Sequence, residues 1–382
     1  MTDDLPTVWR AEPHTLAKHA ILRRYLEAWY PILARQSRRV RSPSREILFI
    51  DAFAGPGEYE EGEPGSPVIA LETALQHDVE FPVPVCLLFI EEREDRFRHL
   101  ENVLSTYTGQ IENSQNVRLS EPRQGECDTL LTAMLNEHEK RGVRFGPALA
   151  FLDQFGYSAV SMDLIRRILA YPQCEVFMYL DYRDMNRWIT DSSKAPSFSR
   201  TYGGDEWRGA IDLPERERRM FLLKTYKNSL RTRANAGYVS TFAMFDKSGR
   251  LLYWLVFCTN NRRGLEEMKK AMWKVDDTGS FRFSDKDNPD QMRLLKDTYD
   301  QDWLAGELAL KLAGRDVTVA QVKEFVLTET PCHLFKPALK TLETNTQPGI
   351  DVTAVPPGRR RGTFPDRDCE QIVLRFHRAK GS

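Results

Sequence analysis

The segment LFIDAFAGPGEYEEGEPGSPVIAL, residues 48–71, combines residue types that could bind a ligand through backbone and carboxylate groups. A strand-like apolar run ends at Asp51, and Gly55 and Gly57 follow it before a helical pattern begins. Glycine lets a backbone approach a ligand closely, and a helix N-terminus offers unpaired N–H groups. An acidic strand end followed by G-x-G is typical of enzymes that bind S-adenosylmethionine. The pattern predicts a cofactor loop made by Asp51, Phe53, Gly55 and Gly57.

A second acidic strand end supports that interpretation. The next strand-like run ends at Glu91, where a carboxylate can accept both ribose hydroxyls of an adenosyl group, as in dinucleotide folds. The alternative is that the glycines serve only a tight turn and that Glu91 is solvated. The coincidence of Asp51, the glycines and Glu91 at successive strand ends favours a cofactor site.

A third strand end carries the residues best suited to catalysis. The run FLDQFGY places Asp153 and Phe155 where the carboxyl ends of parallel strands line a ligand crevice. A carboxylate there can accept a hydrogen bond from an exocyclic amine, and a ring can stack on a base drawn out of its helix. We therefore predict Asp153 and Phe155 as catalytic residues. The alternative is that Phe155 belongs to the core and Asp153 caps the following helix.

The elements that position these residues alternate along the chain. Strand-like runs near 83–91, 116–121, 148–155 and 175–182 are separated by helical patterns, which predicts a parallel sheet with helices on both faces. A polar, mostly helical insertion follows at about 186–236. Two β-rich runs then surround the turn signal Asp246–Gly249 and predict an antiparallel hairpin. The predicted fold is therefore α/β and class I methyltransferase-like (Rossmann-like), with a mostly parallel sheet that ends in this hairpin.

Candidate substrate contacts lie outside the strand ends. The apolar spacing from Ile21 to Leu33 predicts an N-terminal helix that Pro31 kinks or divides. Lys18 and His19 lie in this helix and could reach a substrate phosphate, although a His on a helix surface is usually structural. Asn186 and Arg187 follow the fifth strand and could contact a phosphate or a carbonyl group. A salt-bridged Arg is an equal alternative for Arg187.

The last part of the chain is basic. From Ala313 onward there are 11 Lys and Arg against 8 Asp and Glu, whereas the whole chain has a net charge of −1. The pattern of helix, turn, helix, strand, basic loop and strand predicts a winged helix, with Thr318 as an N-cap and Pro337 in the first turn of the second helix. Nucleic-acid backbone contacts are predicted for Lys336, Lys340, Arg359, Arg360 and Arg361, the alternative being a solvated loop.

The length of 382 residues predicts three regions: an N-terminal helical segment at 1–45, a methyltransferase-like domain at 46–312 and a winged-helix domain at 313–382. Six scattered cysteines without a CxxC pair argue against a disulfide scaffold and a Cys-rich zinc site, and we predict no metal. The polar N-terminus and the absence of an 18-residue apolar run predict a cytoplasmic protein without a membrane span.

The sequence resembles the three-Cys-motif partner proteins, TcmP, over essentially its whole length. The matching stretches are KHAILRRYLEAW, FIDAFAGPGEYEEGEPGSPVIAL, FIEE, FLDQFGYSAVSM, MNRW, LVFCTN and MKKAMWKVD. The resemblance implies a class I methyltransferase-like fold with a C-terminal winged helix. It also implies a separate partner that carries the three-cysteine iron–sulfur motif of radical S-adenosylmethionine enzymes, a motif that this chain lacks.

Carried over by the resemblance, Asp51, Gly55 and Gly57 form the cofactor loop, Glu91 is the ribose acceptor and Asp153 is the active-site acid. The family usually has Asp-Pro-Phe-Gly where this chain has Gln154 in place of the proline. Proline would stiffen this loop, whereas Gln154 is expected to add a flexible amide and to loosen the geometry of Asp153.

Three functions are compatible with these patterns. The leading hypothesis is an S-adenosylmethionine-dependent methyltransferase-like protein that acts on or recognises nucleic acid (DNA or RNA) or a nucleotide alongside the radical-enzyme partner. The second is a catalytically inactive adaptor that keeps the fold in order to bind nucleic acid or the partner. A nicotinamide-binding Rossmann enzyme is the weakest, because the chain ends its sheet in a hairpin and lacks a full G-x-G-x-x-G.

Overall fold

The computed structural model describes residues 6–39, 46–143, 145–154, 156–276, 282–284, 301–330, 332–344 and 349–377. These residues divide into two compact units. The first contains the described residues up to Val275 together with 282–284, and the second contains Asp276 and the described residues from 301 onward.

The first unit is built on one sheet, in which the described residues form nine strands. In chain order these are β1 Ile47–Asp51, β2 Val85–Glu91, β3 Val117–Leu119, β4 Arg123–Gln124, β5 Ala148–Leu152, β6 Cys174–Asp181, β7 Tyr238–Phe245, β8 Leu251–Thr259 and β9 Arg282–Ser284. Their spatial order is β3-β2-β1-β5-β6-β8-β7-β9, and β4 pairs with the end of β2.

This strand order confirms the predicted methyltransferase-like fold. β1, β2, β3, β5 and β6 are parallel, and β8 runs antiparallel between β6 and β7. The predicted hairpin therefore exists, and its return strand is inserted into the sheet. The strand order switches between β1 and β5: β2 and β3 lie on one side of β1, whereas β5 and β6 lie on the other. The carboxyl ends of β1, β2 and β5 therefore border the crevice where open α/β sheets bind ligands.

Ten helices flank this sheet within the described residues of the first unit. They are α1 Pro13–Arg39, α2 Ser66–Leu75, α3 Glu94–Ser105, α4 Thr108–Glu112, α5 Cys127–Lys140, α6 Met162–Leu169, α7 Tyr182–Trp188, α8 Ala195–Tyr202, α9 Glu215–Thr232 and α10 Arg262–Val275. The predicted helical insertion corresponds to α7, α8 and α9, with 3₁₀ turns at Ser192–Lys194 and Glu206–Ala210.

Of the two effects predicted for Pro31, a kink or a division of the first helix, division is wrong, because α1 continues through it to Arg39. Proline has no N–H to donate to the carbonyl four residues earlier, which is that of Glu27. His77 replaces that donor: its Nε2 lies 3.2 Å from the Glu27 carbonyl oxygen, while its Nδ1 accepts from the Val79 N–H. A hydrogen bond from outside the helix thus satisfies the Glu27 carbonyl, which the proline leaves without a donor.

A buried carboxylate fixes α1 against the sheet. Glu175, in β6, accepts hydrogen bonds from Tyr25 Oη (2.5 Å) and Trp29 Nε1 (2.7 Å) of α1. Thr259 Oγ1 of β8 donates a third at 2.7 Å. Burial raises the pKa of Glu175, and the three donors oppose that rise. The network sets the position of α1, whose first turns approach the carboxyl ends of the strands.

The second unit contains α11 Gln301–Lys311, β10 Asp316–Thr318, α12 Val319–Glu329, α13 Lys336–Thr344, β11 Ile350–Ala354 and β12 Val373–Phe376. The strands form an antiparallel sheet of order β10-β12-β11. Thr318 is the N-cap of α12 in a capping box with Gln321, and Pro337 is the second residue of α13. The unit also includes α11, whose Leu304 and Leu308 are fully buried. The predicted boundary at residue 313 left this helix in the preceding domain.

No helix in the described part of the chain has the length and apolar character that a membrane crossing requires. All six cysteines are buried free thiols.

Candidate active site

The predicted cofactor loop leaves the end of β1 and turns through two glycines in left-handed backbone conformations. Gly55 has φ +63° and Gly57 has φ +90°, values that side chains with a Cβ rarely adopt. The Gly57 carbonyl accepts a hydrogen bond from Gly65 N–H at 2.8 Å, and a Cβ at Gly65 would lie 2.8 Å from the same oxygen. The loop is therefore folded back onto the N-terminus of α2 at a distance that glycine alone permits.

Glu91 ties the end of β2 to this loop. Its side chain is buried; Oε2 accepts from Gly55 N–H at 2.9 Å, and Oε1 accepts from Arg93 N–H at 2.9 Å. A carboxylate oxygen can accept more than one hydrogen bond, so both oxygens keep capacity for a ligand hydroxyl. The structure brings together the two strand ends that the sequence assigned to one site.

Asp51, the last residue of β1, is fully buried. Its Oδ1 accepts from Phe53 N–H at 3.3 Å, and its Oδ2 has no hydrogen-bond partner among the described residues. Burial raises the pKa of Asp51 to about 7; the Ser66 hydroxyl opposes this rise and the Asp153 carboxylate adds to it. The site thus contains an acid that is poised to accept one more donor.

The raised pKa predicts a pH dependence of stability. The folded state holds the Asp51 proton more tightly than the unfolded chain, so its contribution to the free energy of unfolding falls as the pH rises from about 4 to about 7 and is level above that range. When the pH is raised from about 5 to about 7.5, the free energy of unfolding of Asp51→Asn should fall by about 2 kcal/mol less than that of the wild type. Urea unfolding at both pH values measures the difference. Equal losses in the two proteins would contradict the assignment.

Asp153 follows β5 and forms an ion pair with Lys18 of α1. Lys18 is buried, and the side chain of Asp153 is only 18% exposed. The sequence treated Lys18 as a possible phosphate contact and Asp153 as a catalytic acid, whereas the structure places them in one pair. The ammonium fixes the carboxylate at the strand end.

The expectation that Gln154 is a flexible amide is wrong. Gln154 is only 3% exposed; its Nε2 donates to the Tyr179 carbonyl oxygen at 3.1 Å, and its Oε1 accepts from Val160 N–H at 3.0 Å. These two bonds connect the loop after β5 to β6 and to the start of α6. Gln154 therefore restrains the loop through hydrogen bonds, where a proline would restrain it covalently. Phe155 lies outside the described residues.

Asp153 faces a cleft of about 350 Å³ at the carboxyl ends of β5 and β6. Tyr179 and Tyr253 line one side of this cleft, with their ring centroids 4.2 Å apart. Asp181 adds a second acid, which accepts from Asp184 N–H at 2.9 Å and whose pKa is raised by burial. The cleft thus offers aromatic surface together with carboxylates, a combination suited to a planar group that carries a hydrogen-bond donor.

A smaller cavity of about 30 Å³ lies against the glycine loop. It is lined by Phe53, Gly55, Gly57 and other loop residues, and it shares Trp9, Tyr59 and Asp153 with the larger cleft. These three residues therefore border both cavities. Trp9 and Tyr59 are not among the site residues predicted from the sequence. Tyr59 could have been found as an aromatic residue two positions after Gly57, but nothing near Trp9 indicates its contact with residues so distant in sequence.

The other predicted substrate contacts, His19, Asn186 and Arg187, contact side chains of the protein itself. His19 is buried instead of exposed on the helix surface; burial lowers its pKa, and its ring lies 5.6 Å from that of Tyr59. Asn186 accepts from Arg218 Nη1 at 2.9 Å, and the Arg187 guanidinium lies 4.7 Å from the Trp188 ring centroid. His19, Asn186 and Arg187 do not line the two cavities.

The basic loop of the second unit divides into buried and exposed arginines. Arg359 forms a double hydrogen bond with Glu343 at 2.9 and 2.7 Å, stacks on Phe364, and has a side chain only 6% exposed. It is a structural anchor and is unavailable for the nucleic-acid contact predicted for it. Arg360 and Arg361 are exposed beside it, and Arg361 also donates to the Glu343 carbonyl oxygen.

Of the two predicted lysine contacts in α13, Lys336 pairs with Asp366 at 2.9 Å, whereas Lys340 is exposed. Across the described ranges, no cluster of three or more His, Cys, Asp or Glu side chains is arranged to hold a metal ion.

Comparisons with known proteins give distant structural likenesses. A DUF574 family protein from Streptomyces avermitilis is similar at 10% identity and TM-score 0.30, over 63% of this chain and 83% of its own. A methyltransferase from Geobacter sulfurreducens is similar at 15% identity and TM-score 0.26, over 60% and 78%. A SAM-dependent methyltransferase from Methanosarcina mazei is similar at 10% identity and TM-score 0.26, over 57% and 95%. No family model and no curated protein matches the chain. The fold assignment therefore stands on the strand order and register described above.

Proposed function

We propose that this chain binds S-adenosylmethionine and transfers its methyl group to an amine on a planar acceptor in nucleic acid or a nucleotide. The observation that carries the proposal is the linked pair of strand ends. Glu91 of β2 accepts from Gly55 of the glycine loop, and the buried Asp51 at the end of β1 has an oxygen with no hydrogen-bond partner among the described residues. The topological switch point of a class I methyltransferase-like sheet thus holds a glycine loop, a carboxylate that could accept from ribose hydroxyls, and a buried acid.

The residues present fit this cofactor. The free hydrogen-bonding capacity of Glu91 suits the two ribose hydroxyls. The backbone of Ala54–Gly57 can lie against the methionine part, and Asp51 Oδ2 can accept from its ammonium group. When bound, the cofactor supplies a methyl group activated by a sulfonium sulfur.

The acceptor is assigned to the larger cleft because of its rings and its fixed carboxylate. Asp153, held by Lys18, can accept a hydrogen bond from an amine and take up the proton that the amine loses on methylation. Tyr179 and Tyr253 line the cleft, so a planar ring bound there would lie beside aromatic side chains. These groups favour an exocyclic amine of a base over an aliphatic amine.

Transfer of a labelled methyl group tests the reaction. Wild-type protein should label RNA, DNA or free nucleotides, and Asp153→Asn should lower the rate by at least about 100-fold. Asp163→Asn makes the same change at an exposed aspartate that pairs with Arg166, and it should keep the wild-type rate. Absence of labelling by the wild type, with and without a three-cysteine radical S-adenosylmethionine protein, would contradict catalysis.

The second unit is proposed to be a winged helix that contacts nucleic acid. Its element order and its exposed Arg360 and Arg361 between β11 and β12 support this proposal. Replacing both by Ala should weaken nucleic-acid binding and lower the slope of log affinity against log salt by about 2. Arg315→Ala removes the same kind of charge outside the loop and should lower the slope less. Identical slopes for the double variant and the wild type would exclude the loop as the contact.

Membership of the three-Cys-motif partner family and the radical-enzyme partner are also proposals, and the sequence motifs support them. Co-purification of the chain with such a protein tests the partnership. The alternative of a catalytically inactive adaptor is favoured by one observation, the small size of the cavity at the glycine loop. An adaptor would bind nucleic acid or the partner without transferring methyl groups, so the labelling assay separates the two functions.

A further inference from the structure

We propose that residues 6–12, here called the strap, block the chain's own cofactor site, and that Trp9 fills a slot that the adenosyl group must enter. The inference rests on the proposed function. It explains why a loop with the features of a cofactor site encloses a cavity of about 30 Å³, when pockets for small ligands usually measure about 300–1,000 Å³.

The Trp9 side chain lies in an aromatic slot over the glycine loop. The Arg96 guanidinium is 4.4 Å from its ring centroid, and the Tyr59 ring meets it edge-on at 5.7 Å. Trp9 Cη2 would lie 3.8 Å from a Cβ placed on Gly55. Arginine and tyrosine around a glycine floor form a slot for a flat ring. The indole therefore occupies a place suited to a planar ligand.

The strap is attached to the elements that form the cofactor half of the site. Thr7 Oγ1 donates to Asp95 Oδ2 at 2.6 Å, and the Pro6 carbonyl accepts from Arg96 Nη2 at 3.4 Å, both at the start of α3. The Trp9 carbonyl accepts from Glu60 N–H at 3.0 Å, in the loop after the glycines. The strap thus connects the loop that follows the glycines to the start of α3.

Two of the side-chain attachments of the strap are exposed to solvent. The Thr7 to Asp95 bond is solvent-exposed, and the ion pair of Arg10 with Glu61 joins side chains that are 71% and 57% exposed. Exposed pairs of this kind contribute little stability and exchange readily with water. Trp9 and Tyr59 also border the cleft that contains Asp153, so movement of the strap would open the cofactor site and join it to the acceptor cleft.

Calorimetric titration with S-adenosylmethionine tests the strap in the full chain. If the strap competes with the cofactor, Trp9→Ala should bind about tenfold more tightly than the wild type, because the competent state no longer requires displacement of the indole. Thr7→Val keeps the indole, removes one attachment, and should bind about threefold more tightly. Trp303→Ala removes a partly exposed tryptophan in the second unit and should leave the affinity unchanged.

The outcomes separate the two proposals. Tighter binding by Trp9→Ala and Thr7→Val supports the strap. Equal binding by the wild type and both variants would overturn the strap and leave the cofactor site in place. Weaker binding by Trp9→Ala would also overturn it, because Trp9 would then cover the bound cofactor. Absence of binding by every variant, each folded by circular dichroism, would overturn the cofactor proposal and the strap with it.

Discussion

Glu91→Ala is expected to weaken S-adenosylmethionine binding by about 100-fold. The substitution removes the proposed acceptor for both ribose hydroxyls and also frees the N–H groups of Gly55 and Arg93, which position the glycine loop. Hydrogen bonds to a charged group contribute about 1.5–3 kcal/mol, and a 100-fold change in Kd corresponds to about 2.8 kcal/mol. Isothermal titration calorimetry measures the affinity.

Glu92→Ala is the matched control for that experiment. Glu92 is the next residue, has the same charge and is exposed, so its removal should change the affinity less than about twofold. Equal weakening by the two substitutions would mean that general negative charge, and not the ribose contact of Glu91, attracts the ligand.

The largest expected effect on stability comes from Gly264→Ala, which should lower the free energy of unfolding by about 3 kcal/mol. A Cβ at Gly264 would lie 2.0 Å from Glu175 Oε1 and 3.2 Å from Thr259 Oγ1. Glu175 cannot withdraw freely, because Tyr25, Trp29 and Thr259 all donate to it and would be left as buried donors without an acceptor. Urea unfolding monitored by circular dichroism measures the change.

Gly306→Ala provides the comparison within a helix. Gly306 is exposed in α11, and a Cβ there would meet nothing within 4 Å. Because Ala has a higher helix propensity than Gly, this substitution should be neutral or stabilising by up to about 1 kcal/mol. A change of less than about 0.5 kcal/mol for Gly264→Ala would show that the Glu175 network yields without cost.

The strand ends were predictable from sequence because they depend on local patterns. Buried parallel strands appear as continuous apolar runs, and the first polar residue after each run marks the edge that faces the crevice. Asp51, Glu91 and Asp153 were found in this way. The hairpin was found from its turn residues, where Asp246 accepts from Ser248 N–H and Gly249 has φ +82°.

The remaining features depend on contacts between distant segments. The ion pair of Lys18 with Asp153 joins residues 135 positions apart, and no periodicity relates them. The external donor at Pro31 comes from His77, which a helix pattern cannot reveal. Among three consecutive arginines, the sequence could not show that Arg359 is buried against the Glu343 carboxylate while Arg360 and Arg361 stay exposed.

Contacts between distant segments also explain why the flexibility expected for Gln154 is wrong. Its flexibility was inferred from the residue type, whereas its rigidity comes from a backbone carbonyl in β6 and a backbone N–H before α6. A polar residue in a buried loop is restrained whenever both its donor and its acceptor find partners. A buried polar residue such as Gln154 can therefore fix the geometry of a neighbouring acid such as Asp153.

The central claim is that the glycine loop and Glu91 form an adenosyl cofactor site. A crystal structure of the chain grown with S-adenosylhomocysteine tests it most directly. We expect ligand density with the ribose hydroxyls at hydrogen-bond distance from Glu91 and the amino acid part against residues 54–57. We also expect Trp9 to be displaced from its slot between Arg96 and Tyr59. Ligand density elsewhere, or an undisturbed loop without ligand at saturating concentration, would contradict the account.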